Sequence, residues 1–273
     1  MTIPASAAAG PSAFWFLTRG TGAVALVLLT VTVALGVLGV RRTQIEGLPR
    51  FVLDGIHRNA ALLAVTFLAA HIATTLLDGF APITVLDIVL PFGSAYRPLW
   101  VGFGAVAFDL MLAITVTSLM RRRLGYGAWR ATHWLAYASW PVAVLHGLGT
   151  GSDVKAHWLL LLTAACVGLM LLALLARIAY GWPAHRELRI PALGAVALVP
   201  IGLIAWLPSG PLASGWAGRA GTPVTLLHAT GPVHGLRVAA RSPASAAALP
   251  APASESEENE HSFSVAVDGA PDR

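Results

Sequence analysis

"THWLAYASWPVAVLHG", residues 132–147, combines features that oppose one another in a membrane. Its length and apolar character belong to a span, yet it holds His133, His146 and Pro141 beside Trp134 and Trp140. An imidazole is costly in hydrocarbon, and a proline removes one helix hydrogen bond. A segment that keeps both has a use for them.

The surroundings are those of a membrane protein. Of 273 residues, 56% are hydrophobic and 11% charged, where a soluble domain carries about a quarter charged residues. A net charge of +5 would suggest nucleic acid as a partner of a soluble protein. Here the arginines sit in short connections between apolar runs, so they orient the chain in lipid and no nucleic-acid partner is expected. The single cysteine, Cys166, lies within an apolar run, which excludes a disulfide framework. Residues 1–13 lack the basic start of a signal peptide, and the run after them is too long for one, predicting an uncleaved first span.

Six apolar runs are long enough to cross a core of about 30 Å at about 1.5 Å per residue. They fall near 14–40, 56–77, 99–120, 129–149, 155–178 and 190–208. The predicted organisation is an N-terminal tail (1–13), an all-α six-span bundle (14–208) and a largely disordered external tail (209–273). The tail is inferred because "SPASAAALPAPASESEENEHS" (242–262) cannot bury a core. Most of the 18 Lys and Arg fall in three stretches: Arg41, Arg42, Arg50 and Arg58; Arg121, Arg122, Arg123 and Arg130; Arg177, Arg186 and Arg189. The positive-inside rule makes these cytoplasmic and both termini external. The outer connection "DGFAPITVLDIVLPFGSAYRPLW" (78–100) is expected to hold a short interfacial helix framed by Pro82, Pro91 and Pro98.

The histidines then fall into order. His57 and His71 in the second span are fourteen residues apart, which is about 21 Å of rise and about 40° short of four turns. They share one face at two depths. His133 and His146 in the fourth span are thirteen apart, about 19.5 Å, and both spans run outward. His57 is therefore level with His133, and His71 with His146. The phase of the second pair resists this, being about 140° short of four turns in ideal helix. A kink or unwinding at Pro141 is expected to restore a common face. Imidazole pairs matched at two depths suit a flat metal macrocycle with two axial ligands, so two b-type haems between spans two and four are expected. The plain alternative is that each histidine caps a carbonyl or bonds across a helix interface.

These four positions, with "WFLTRGTG", "SAYRPLW", "RRRLGYGAWRATHWLAYASWP" and "HGLGTGSD", resemble the ferric reductase-like transmembrane proteins. The resemblance covers about residues 15–178. That family includes the membrane parts of ferric reductases and NADPH oxidases, and the haem subunit of the methionine sulfoxide reductase system. It implies two haems between two helices, ligated through His57, His71, His133 and His146, with the same spacings of fourteen and thirteen. The quoted segments look like bacterial members, which places the chain in a bacterial plasma membrane. Residues 209–273 hold no Gly-rich dinucleotide turn, so the electron donor is expected to be a separate flavoprotein or membrane quinol. The acceptor would be external: ferric iron, or a flavin- or molybdenum-containing reductase partner.

Other residues carry two readings each. Arg19 is a partner for a propionate of the outer haem or a residue snorkelling to the surface. Arg97 is a propionate partner, a contact for an anionic acceptor, or neither. Arg58 reaches an inner propionate or is a positive-inside charge. Asp109, inside the third span, is a proton-relay group or a neutral structural aspartate. Trp100, Trp134, Trp140 and Trp158 read as interfacial anchors. His157 reads as a headgroup-level residue, and His228 with His234 as a weak metal pair. "GTGAVA" and "GFGAVA" read as close helix packing.

The expected function is transmembrane electron transfer by a ferric reductase-like oxidoreductase component. Two alternatives remain: a quinol-oxidising cytochrome b anchor subunit of a partner reductase, and a transporter lined by histidines and Asp109.

Overall fold

The computed structural model describes residues 12–39, 50–151, 154–181 and 186–229. Every regular element among them is a helix. In chain order these are α1 (Ala13–Gly39), α2 (Arg50–Asp78), α3 (Val85–Val89), α4 (Pro98–Leu119) and α5 (Arg121–His133). They continue as α6 (Ala136–Thr150), α7 (His157–Gly181), α8 (Arg186–Trp206), α9 (Trp216–Arg219) and α10 (Val224–Ala229).

Five of them, α1, α2, α4, α7 and α8, are long and apolar enough to cross a membrane. Many of their hydroxyls bond back to their own helix, as lipid favours, although Thr18 Oγ1 in α1 is buried without a partner. Thr21, Thr30 and Thr32 each donate to the carbonyl four residues back. The expected fourth span is divided instead: α5 ends at His133, and α6 has 15 residues, about 22 Å of rise and short of a hydrocarbon core. The connection 78–100 contains α3, opened by Thr84 with Asp87 as its capping box. Its Val85, Leu86 and Val89 are exposed.

α1 is the central post. Its Leu29, Val33, Ala34 and Val37 pack with Trp140, Val144 and Leu148 of α6 and with Val167, Met170 and Ala173 of α7. α2 lies along α1, and α4 along α6. At the far end of α1, Arg177 of α7 donates to the carbonyl of Val37, a cation at a helix C-terminus.

Three expectations are corrected. Trp100 and Trp140 are not interfacial anchors: they are 9% and 6% exposed, whereas Trp134 and Trp158 are 58% and 53% exposed. A buried indole needs a partner for its N–H, and Trp140 Nε1 donates to Thr30 Oγ1 at 2.9 Å. Second, the region after 208 does not begin as a loose tail. Residues 209–229 include α9 and α10, and Trp216 meets Trp100 and Trp206 with ring centroids 5.3 and 6.0 Å apart. His234 and the run "SESEENE" lie outside the described residues, and His228 falls within α10. Third, the phase of the fourth segment is not restored at Pro141, which sits inside a continuous α6. The adjustment precedes it. Leu135, Tyr137 and Ala138 each donate to the carbonyl three residues back, at Thr132, Trp134 and Leu135. This 3₁₀-type winding turns about 120° per residue rather than about 100°. Centred on Trp134 and Leu135, between α5 and α6, it overwinds the chain in the direction that closes the deficit.

Trp140→Phe removes the indole donor together with part of a buried ring. It is expected to cost about 1–2 kcal/mol, a fall of about 2–6 °C in thermal midpoint for a chain of this size, read by circular dichroism in detergent.

Candidate functional site

The divided fourth segment brings its two histidines onto the face that looks at α2. His57 and His133 have ring centroids 6.3 Å apart with planes crossed at 64°. His71 and His146 are also 6.3 Å apart, crossed at 81°. No hydrogen bond joins the rings of either pair. The equal separation at two levels is the main geometric fact of the site.

Three of the four rings are anchored in the same way. His71 Nδ1 lies 2.8 Å from the carbonyl of Thr18, His57 Nδ1 3.1 Å from that of Thr32, and His146 Nδ1 2.8 Å from that of Trp100. A carbonyl only accepts, so each Nδ1 carries the proton and each Nε2 keeps its lone pair. Each such carbonyl is already inside a helix, and it can take a second bond through its other lone pair only if the approach is clear. Four residues after each one stands a glycine: Gly22 after Thr18, Gly36 after Thr32, and Gly104 after Trp100. A Cβ at Gly104 would lie 2.5–2.6 Å from His146, one at Gly22 would lie 2.9 Å from His71 Nδ1, and one at Gly36 would lie 3.6 Å from His57. The second glycine of "GTGAVA" and of "GFGAVA", Gly22 and Gly104, thus seats an imidazole, which goes beyond helix packing, whereas Gly102 makes room for Phe92. The signal for this was present in the sequence: Gly22 and Gly36 on α1 are fourteen residues apart, like His57 and His71 on α2.

The level of His71 and His146 is closed by residues that only the fold assembles. Trp100, whose carbonyl holds His146, stacks on Trp206 at 5.3 Å and fits against α6 where Gly149 has no side chain. Trp216 Nε1 donates to the Gly149 carbonyl at 3.2 Å. Arg97 is buried and left-handed at φ 45°. Its guanidinium donates to the carbonyls of Gly149 and Thr150 and, through Nε, to Thr222 Oγ1. Its backbone N–H donates to Gly221. Burial works to lower the pKa of this guanidinium, and neighbouring Tyr96 works against that. The structure therefore gives Arg97 the work of tying the end of α6 to the segment after α9.

The remaining candidates are dispersed. Arg19 covers the ring of Trp15 at 3.3 Å and donates to its carbonyl. Arg58 is exposed, Asp109 is half-buried and His157 is exposed. Among the described residues no group of three or more His, Cys, Asp or Glu side chains is placed to hold a metal ion. The histidines come together as pairs.

Compared with known proteins, residues 21–144 match the family described as ferric reductase like transmembrane component. The chain carries a ferric reductase-like transmembrane domain. The domain match includes His57, His71 and His133, and His146 follows it closely. Over 140 residues the chain is 34% identical to the protein-methionine-sulfoxide reductase heme-binding subunit MsrQ of Ralstonia nicotianae, covering 50% of this chain. The aligned part spans 59% of that subunit's length. No solved structure matches the chain. With its five apolar helices, the chain is an integral membrane protein.

The glycine seats make an ordered prediction. Gly104→Ala must displace His146 or its backbone anchor, and is expected to cost about 1–3 kcal/mol. Gly36→Ala has ordinary contact distance and gains up to about 1 kcal/mol of helix propensity, so it should be neutral or stabilising. Thermal unfolding of the two variants in detergent measures this, and equal losses would show that seating the rings is not what these glycines do.

Proposed function

We propose that this chain is the haem-carrying membrane subunit of an oxidoreductase. In this reading two b-type haems lie between α2 and the fourth segment, one on His57 and His133, the other on His71 and His146. The observation that carries it is the repeated 6.3 Å between facing rings. Two imidazoles binding one metal from opposite sides, at about 2 Å per bond, have centroids about 6.4 Å apart. The pairs are thus too distant to bond each other and well spaced for a shared metal. The anchored Nδ1 protons support the same reading, because a ligating imidazole donates its other N–H to a carbonyl or carboxylate. So does the name of the similar Ralstonia subunit, which is heme-binding.

Bound b-type haem supplies one-electron redox chemistry inside the membrane. The chain's own residues do the rest. The four histidines would hold one haem at each of two levels, and carbonyls of α1 and α4 fix the ring orientations of His57, His71 and His146. Trp100, Trp206 and Trp216 keep water from the outer level. The end of α5, the tight turn and α6 together make the sixth crossing. The arginine distribution supports a His57 level toward the cytoplasm and both termini outside. With haem bound at both levels, the chain would supply a path from a separate flavoprotein or quinol to an external acceptor or reductase partner.

A lipid-facing groove leaves room for a quinol donor. An almost wholly apolar crevice of about 330 Å³, lined by Trp140, Pro141, Val144, Leu198 and Trp206, opens between α6 and α8. An isoprenoid tail has the chemistry to enter it from lipid. Rapid haem reduction by a soluble quinol analogue would support that donor, and reduction only by a cytosolic flavoprotein would exclude it.

The purified chain is expected to show a low-spin b-type Soret and α band with two haems per polypeptide. His71→Ala or His146→Ala should leave one. Absence of these bands overturns the reading, and loss of neither haem on changing His71 or His146 overturns the ligand assignment.

A further inference from the structure

His133 is the exception among the four histidines. The other three rest on backbone carbonyls, but His133 Nδ1 is buried without a hydrogen-bond partner. Its ring is covered instead. Trp129, four residues earlier and so on the same helix face, stacks on it with centroids 5.0 Å apart and planes 25° from parallel. Trp129 is itself held from two sides. Its Nε1 donates to Ser118 Oγ of α4 at 3.3 Å, and the Arg121 guanidinium lies 4.3 Å over its ring. Arg121 is on the same short helix but reaches this position because α5 is broken at Gly125, with φ 78° and ψ 163°. Only a residue without a side chain adopts that conformation readily. The order is a layered one: Arg121, Trp129, His133, then His57 across the gap.

The two kinds of support do different things to a ligand. A carbonyl on Nδ1 orients the ring and makes its imidazole a stronger electron donor to a metal. A stacked indole orients the ring without adding that donor strength, and a guanidinium beyond it favours added negative charge. We propose that Trp129 is the positioning residue of the inner site, replacing the carbonyl that His133 lacks. Arg121 fixes Trp129 in place and holds the inner group's potential higher than anchored histidines alone would. The proposal rests on the haem reading above and concerns only the His57–His133 level.

The test is a redox titration with electron paramagnetic resonance and haem stoichiometry on the purified full chain and its variants. Failure of the haem reading itself would appear in the unaltered chain, as absence of low-spin signals, before any variant is made. Trp129→Leu should weaken haem retention at the inner level by about tenfold, in the range for lost outer supports of a metal ligand. The outer signal should be unchanged, which also shows that the variant folds. Trp129→Phe keeps a stacking face and should restore retention. Arg121→Gln should keep both haems and move only the inner potential to a more negative value. The proposal is overturned if Trp129→Leu leaves the inner signal, retention and potential as they were, or alters both levels alike. It is also overturned if Phe at 129 behaves as Leu does.

Discussion

The bond from an imidazole Nδ1 to a carbonyl already inside a helix is the constraint on which the architecture turns. It requires a helix beside the histidine-bearing one, at close approach, with the right carbonyl turned outward and no Cβ in the way. α1 meets these demands twice for α2, through Thr18 with Gly22 and Thr32 with Gly36. α4 meets them once for α6, through Trp100 with Gly104. The bundle's pairing of α1 with α2 and of α4 with α6 is thus the pairing the histidines need. In lipid, where an unsatisfied polar group has no water to turn to, this arrangement converts a burial cost into a fixed ring orientation.

The two levels are built unequally. The His71–His146 level is tied down by aromatic stacking and by Arg97, which spends its donors on the carbonyls at the end of α6, where the helix dipole is negative. The His57–His133 level lies beside an interrupted, arginine-rich helix, and one of its histidines is held by stacking alone. The difference is one of rigidity as well as charge, since a stacked face allows rotation that a directed hydrogen bond does not.

Much of this was legible in the chain. The helical repeat is regular enough that fourteen- and thirteen-residue spacings give depth, so the pairing of His57 with His133 and His71 with His146 could be read before any coordinates. Apolar length located the five spanning helices to within a few residues. The tight turn at Trp134 and Leu135 was not legible, because nothing in those two residues distinguishes 3₁₀ from α winding; Pro141 drew attention to the right segment but the wrong bond. The burial of Trp100 and Trp140 was missed for a related reason. A tryptophan near a span end has the same sequence whether it faces headgroups or another helix, and the presence of Thr30 or Trp216 opposite decides which.

What the sequence determined by itself was periodic: a membrane composition, helices of spanning length, and four histidines at two depths, all set by the fixed rise and turn of an α-helix. The tertiary structure decided what depends on a neighbour's face. It selected which carbonyls accept the imidazole protons, which glycines clear their path, and why His133 alone goes without. It also drew residues 209–229 onto the end of the bundle that carries His71 and His146, through contacts with Arg97 and Trp100 that lie more than a hundred positions away in the chain. Such contacts are fixed by helix packing, and packing has no period that a single strand of sequence displays.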